Sequence, residues 1–251
     1  MVILFVFGTI IGSFLNVFSL RLNSGLSLAG RSSCSSCRKK LSWKELFPIL
    51  SFLWLRGRCR ECKTRISWQY PAVELWTGLI FASVFSFDKT LLENIIVLFV
   101  FCLYVSMVAY DARHKIIPDS LVYTSVVYAL LLRVVVGGDL WDWLSGPILF
   151  SFFAFIWLVS RGRAMGFGDA KLALSVGLLL GFSQGLSAIV LSFWIGAIYG
   201  VSIVFLNRFN TLLKVREKIT IKSEIPFAPF IILGVWLALI FELDLLHVAL
   251  F

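Results

Sequence analysis

Charged side chains are scarce in this sequence: Asp, Glu, Lys and Arg make up 15% of the 251 residues, against a hydrophobic share of 59%. Soluble domains carry about 25% charged residues, so this composition cannot cover a water-facing surface, and a soluble core of comparable size is excluded. Histidine is scarcer still, found only at positions 114 and 247. Neither lies near the cysteines, so no histidine is at hand to build a catalytic metal site with an open position. The chain also lacks a glycine-rich dinucleotide fingerprint, and no internal repeat is visible in it.

What fills the sequence is apolar, with a mean hydropathy of +0.93. A helix crossing a hydrocarbon layer roughly 30 Å thick needs about 20 mostly apolar residues. Runs of this kind lie near 1–20, 72–87, 91–109, 120–137, 143–160, 170–183, 185–206 and 227–246, separated by Gly, Pro or charge clusters. The expected fold is therefore all-α, a polytopic membrane bundle of about eight transmembrane helices. Its least defined boundary is Gly181-Phe182-Ser183-Gln184-Gly185. The first run has no basic segment before it and no A-x-A-like cleavage site, so it reads as a mature helix. Its Gly8, Gly12 and Asn16 share one face, as in small-xxx-small helix packing.

Basic loops are retained in the cytoplasm. With the loop after the first run placed inside, 21 of the 23 Lys and Arg fall on that side, at 21–65, 113–115, 161–171 and 208–222. Only Lys89 and Arg133 remain, and both chain ends face outward. The net charge of +9 is then a topology signal with some attraction to anionic headgroups, and nucleic acid is not an expected partner.

Residues 23–70 form the one sizeable polar insertion, between a first helix at 1–22 and a membrane core at 71–251. It holds Cys34-x-x-Cys37 and Cys59-x-x-Cys62, the spacing of a tetrahedral four-cysteine zinc site. The alternative, two disulfides, is disfavoured in a reducing cytoplasm. A loop this short buries little apolar area, so zinc here would be structural and would supply much of the folding free energy. Cys102, in the third run, reads as a small buried hydrophobe. Trp43, Trp54 and Trp68 are placed to dock the loop on headgroups.

Acidic residues at membrane depth are costly and usually functional. Asp111 ends the third run, where the negative end of the helix dipole disfavours it, so helix capping does not explain it. Asp119, after Pro118, suits the start of a helix as well as it suits a functional role. Asp169 opens the sixth run, and Gly166 and Gly168 before it permit close backbone approach. All three carboxylates sit at helix ends on the expected cytoplasmic side. Two carboxylates brought close share a proton and can activate water without a metal, which is aspartic peptide hydrolysis.

The chain resembles the type IV prepilin peptidase family through GSFLNVFSLRL at 12–22, the paired C-x-x-C hooks, SWKELFPILSFLWLRGRC at 42–59, YPAVELWTGLIF at 70–81, DARHKIIPD at 111–119, GFGDAKL at 166–172 and IPFAPF at 225–230. That resemblance implies a GxGD-type aspartic endopeptidase of the bacterial inner membrane. Its catalytic pair would be Asp111 and Asp169, supported by Asp119, Gly166, Gly168 and Lys171. The substrates implied are type IV prepilins and pseudopilins of type II secretion, cut after Gly on the cytoplasmic side of the bilayer. Many family members also methylate the new N-terminus with S-adenosylmethionine, an activity associated with the cysteine loop, for which Glu45, Gly57 and Glu74 are the candidate contributors here. Two departures stand out: Ala228 replaces a usual Gly, and Arg113 replaces the second acid of a DxD pattern.

Two other classes compete. An ion transporter would place acids near helix centres and show a membrane repeat. A zinc-ribbon adaptor with inert carboxylates would tolerate loss of Asp169, which a peptidase would not.

Overall fold

A computed structural model of the chain describes residues 1–25, 27, 30–85, 89–163, 165–212 and 226–244. Four of the five basic residues expected at 208–222, namely Lys214, Arg216, Lys218 and Lys222, lie outside the described residues, as do His247 and Ile225. The described residues are helical, with no named strand: α1 (Val2–Arg21), α2 (Leu50–Trp54), α3 (Gln69–Val84), α4 (Leu91–His114), α5 (Asp119–Val136), α6 (Leu140–Ser160), α7 (Phe167–Leu180), α8 (Phe182–Leu212) and α9 (Ala228–Ile240).

Each of the eight expected runs corresponds to one helix, α2 being the extra, short one. By length and composition α1, α4, α5, α6 and the 182–205 part of α8 can cross a bilayer. The helices α3, α7 and α9 have 16, 14 and 13 residues. The ambiguous boundary narrows to one residue. Gly181 takes φ +83° between α7 and α8, a backbone region that residues with a Cβ avoid.

The chain divides into two compact units, Met1–Val135 and Val136–Phe251. In the first, α1 and α3 meet along small residues. A Cβ on Gly8 would stand 2.7 Å from Phe81 Cβ, and one on Gly12 would stand 2.8 Å from Glu74 Cα, so only glycine allows this approach. Asn16, on the same face, donates through Nδ2 to the Tyr70 carbonyl at 3.1 Å. The packing role expected for this face is what the structure shows. Ser19 Oγ donates to the Ser106 carbonyl at 3.2 Å and ties α1 to α4, whose Val100, Phe101, Tyr104 and Met107 are fully buried.

In the second unit α6 and α7 cross backbone against backbone. A Cβ on Gly177 would meet Gly146 N at 2.6 Å, and Ser145 Oγ donates to the Gly177 carbonyl at 2.7 Å. Asp142, in the first turn of α6, accepts from the Phe182 N–H at 3.1 Å. It thereby satisfies one of the amides that the start of α8 leaves open. Phe153, Phe193 and Phe227 bring α6, α8 and the entry to α9 together, with ring centroids 5.9 Å apart for the first pair and 5.1 Å for the second.

The cysteine loop corrects one sequence reading. An isolated bridge joins Ser33 to Lys40 and another joins Arg58 to Arg65, the second set lying 25 residues beyond the first. Each bridge encloses a C-x-x-C hook followed by a residue in the left-handed region, Arg38 at φ +56° and Lys63 at φ +56°. The loop is thus an internal repeat, with Leu41-Ser42-Trp43 echoed by Ile66-Ser67-Trp68. Few identities survive between the copies because a backbone hook constrains little beyond its cysteines.

Candidate active site and metal-binding cluster

Asp111 lies in the last turn of α4 with 5% of its surface exposed. Its carbonyl accepts from the N–H of Lys115, which closes the helix at φ +54°. Burial of a carboxylate at the negative end of a helix dipole is a standing energetic cost. Structural needs do not explain it, because within its own unit no described side chain pairs with it.

The end of α4 that carries Asp111 is held from outside by Gln69, the first residue of α3. Gln69 Nε2 donates to the Ala109 carbonyl at 2.7 Å, and its Oε1 accepts from Arg113 Nε at 2.9 Å. The Arg113 guanidinium in turn lies 5.5 Å from the Tyr70 ring centre, within cation–π range. Both ends of one amide therefore grip the turn on either side of Asp111. Sequence reasoning missed Gln69: it abuts a motif without belonging to one, and nothing local marks a glutamine whose partner is 40 residues away. Arg113, the departure from the DxD pattern, is the residue that uses this amide.

Asp119 is the first residue of α5 and is exposed. The Pro118 carbonyl accepts from the N–H groups of Leu121 and Val122, so the helix opens on proline and Asp119 is a first-turn residue, not a cap. Asp169 is likewise in a first turn, that of α7, whose cap is Gly166. It is buried, with 6% exposed. There the positive end of the helix dipole favours an ionised carboxylate. A Cβ on Gly166 would stand 3.6 Å from Asp169 Oδ2, so the residue needs no glycine for space, and its φ of −75° is ordinary. Lys171 Nζ lies 5.4 Å from the Phe167 ring centre. Asp111 and Asp119 belong to the first unit and Asp169 to the second.

The four loop cysteines do come together. Their Sγ atoms all lie within 4.8 Å of one another, and Cys34 Sγ is 3.8 Å from Cys62 Sγ. Four sulfurs around a tetrahedral ion with bonds of about 2.3 Å stand about 3.8 Å apart. All five cysteines are free thiols, so the disulfide alternative is not realised, and the donor set fits a soft or borderline cation. The two hooks are also bridged by Lys39 Nζ and Glu61 Oε1 at 2.8 Å. The Thr64 hydroxyl, 3.3 Å from Cys62 Sγ, and the Thr64 backbone push the Cys62 thiol down to about 6, while desolvation and the neighbouring sulfurs push the Cys37 thiol up to about 11.

Comparison with known proteins decides what this assembly belongs to. The family model described as the bacterial peptidase A24 N-terminal domain matches residues 6–87, and the one described as the type IV leader peptidase family matches residues 96–201. A Bacillus subtilis (strain 168) protein named prepilin leader peptidase/N-methyltransferase is 35% identical over 95% of this chain and 93% of its own length. The chain belongs to the type IV leader peptidase family. A Klebsiella pneumoniae relative of the same name is 34% identical over 71% of this chain and 84% of its own. One from Aeromonas salmonicida is 28% identical over 95% and 89%. No solved structure matches the chain.

The three residues expected to contribute to methyl transfer sit in distinct settings. Glu45 closes a capping box on a 3₁₀ turn (Trp43–Glu45), its Oε2 accepting from the Ser42 N–H and hydroxyl, both at 2.8 Å. Those two bonds hold its carboxyl below the ordinary carboxylate range. Gly57 takes φ +66°, and a Cβ there would meet Phe52 Cζ at 3.0 Å. Glu74 is buried in α3, and its Oε2 accepts from the Ile49 N–H at 2.7 Å. Ile49 itself is at φ +60°, strained for a β-branched residue, so Glu74 secures the turn that precedes α2. Ala228, where a glycine was expected, is the fully buried first residue of α9.

Proposed function

We propose that this chain is a bifunctional membrane enzyme that removes the basic leader of type IV prepilins and pseudopilins, cutting after Gly on the cytoplasmic face of the bacterial inner membrane. It then methylates the exposed N-terminal amine with S-adenosylmethionine. The observation that carries the reading is similarity to proteins named prepilin leader peptidase/N-methyltransferase over 95% of the chain, in a chain with a carboxylate buried at the end of each of two helices.

Asp111 and Asp169 are the catalytic pair in this reading. One, ionised, takes a proton from water as its oxygen attacks the Gly carbonyl carbon. The other, protonated, gives its proton to the leaving amine, so neither metal nor covalent intermediate is needed. Asp119, Gly166, Gly168 and Lys171 support the pair. Residues 71–251 form the peptidase core after the first helix at 1–22. The 23–70 loop is a separate small domain in which Cys34, Cys37, Cys59 and Cys62 hold a structural zinc ion. Glu45, Gly57 and Glu74 contribute to methyl transfer.

The test is cleavage of a model prepilin in detergent by the wild type and by Asp111→Asn, Asp169→Asn and Asp119→Asn, with mass spectrometry of the product N-terminus. Loss of cleavage in the first two, activity in the third, and a one-methyl increment on the wild-type product are expected. Cleavage by Asp169→Asn would overturn the aspartic mechanism and favour the adaptor reading.

A further inference from the structure

Between the two hooks, the segment from Trp43 to Trp54 presents an apolar face that no described residue of its own unit covers. Trp43, Leu50, Leu53 and Trp54 are 66%, 63%, 60% and 83% exposed, and Phe47 is 50% exposed. With Lys44 these residues line one open groove. Trp68, itself 74% exposed, does not line it; its ring packs on Phe52 with centroids 4.8 Å apart.

The level of this face along the membrane helices is set by one bond. The Ile49 N–H is held by Glu74, five residues into α3, which at about 1.5 Å per residue is roughly 7–8 Å along the helix axis from Gln69. Trp68 and Tyr70 precede the apolar run of α3, the position where aromatic side chains gather at headgroup level. An interfacial segment buries its apolar face about 5–10 Å into the boundary between headgroups and acyl chains, the depth at which Ile49 is pinned. Leu75 and Leu79 of α3, one and five residues beyond Glu74, are themselves exposed. Charge agrees, since residues 21–74 hold eleven Lys and Arg against Glu45, Glu61 and Glu74, a balance suited to anionic headgroups.

We propose that Trp43–Trp54 is an interfacial anchor, seated with its apolar face in the same leaflet that receives the end of α1 and the start of α3. The anchor holds the cysteine hooks at a fixed height over the membrane surface. It rests on the membrane-spanning reading of α1 and α3 and not on the peptidase chemistry, so the aspartate variants leave it untouched.

The experiment places a benzophenone amino acid at position 54, at 53, and, as a control on the second hook, at exposed position 60, in the full chain reconstituted into phosphatidylglycerol-containing nanodiscs. After irradiation, mass spectrometry reads the adducts. Phospholipid adducts at 53 and 54, several-fold more abundant than at 60, are expected. Equal lipid yields at all three positions would show that this face is not preferentially seated, absence of lipid adducts would show that it lies in water, and either result would overturn the proposal. A peptide adduct, from a second copy or from added model prepilin, would overturn it by making the groove a protein-docking surface.

Discussion

Replacing Gly177 with alanine adds one methyl group to α7 at its crossing with α6, and the structure fixes what that methyl meets. It would stand 2.6 Å from Gly146 N and Ser145 C and 2.7 Å from Gly146 Cα, against an ordinary separation of about 3.5–4.0 Å. Every one of these atoms is backbone, so no side chain can swing aside, and the helices must part by about 1 Å. Overpacking of this kind costs about 1–3 kcal/mol. Parting also stretches the Ser145 hydroxyl bond to the Gly177 carbonyl, another ~1 kcal/mol. Helix propensity returns about 1 kcal/mol, leaving a net loss of about 1–3 kcal/mol. The same change at Gly200 in α8, where nothing lies within 4 Å of the added carbon, receives only the propensity gain. Thermal unfolding of the purified chain, followed by tryptophan fluorescence, should then place Gly177→Ala below wild type by about 2–12 °C and Gly200→Ala at or slightly above it. Equal midpoints for the two variants would refute the close approach of α6 and α7.

Gln69→Leu should lower prepilin cleavage while the chain stays folded: losing two hydrogen bonds of about 1 kcal/mol each loosens the turn bearing Asp111, and unchanged kcat would show that the Gln69 grip is irrelevant to the site. Removing metal with a zinc chelator should expose the amides of Cys34 and Cys59 to hydrogen exchange while those of α3 and α4 keep their protection; retained protection in the hooks would exclude a structural metal. Glu45→Gln should destabilise the 3₁₀ turn at pH 7, by less than about 1 kcal/mol for an accessible cap. Because the Glu45 carboxyl is held below its ordinary value, its contribution is present above that value and is lost as pH falls through the folded one. The difference between variant and wild type, read by hydrogen exchange at Ser42, should accordingly close in acid.

How much could be read without coordinates varies by residue. The glycine face of α1 and the turn at Gly181 were visible because helical period and glycine content are local properties. The four cysteines were visible because paired hooks have a fixed spacing. Asp111 stood out as an acid at membrane depth that the helix dipole disfavours. Gln69, Asp142 and Ser145 did not stand out, although each satisfies a backbone group of a neighbouring segment. Polar residues of these types occur throughout loops and helix starts, and only their distant partners distinguish these three.

The sequence by itself determined the solvent, because a chain with 15% charge and apolar runs of about 20 residues satisfies its backbone in a bilayer as membrane helices. It also determined the chemistry on offer: carboxylates at helix ends, thiols in two pairs and few imidazoles. Tertiary structure decided how those groups are held. The bonds from Ile49 to Glu74, Gln69 to Ala109 and Ser145 to Gly177 span 25, 40 and 32 residues. No local period encodes such pairs, because they exist only once helices have packed closely enough to choose each other's neighbours.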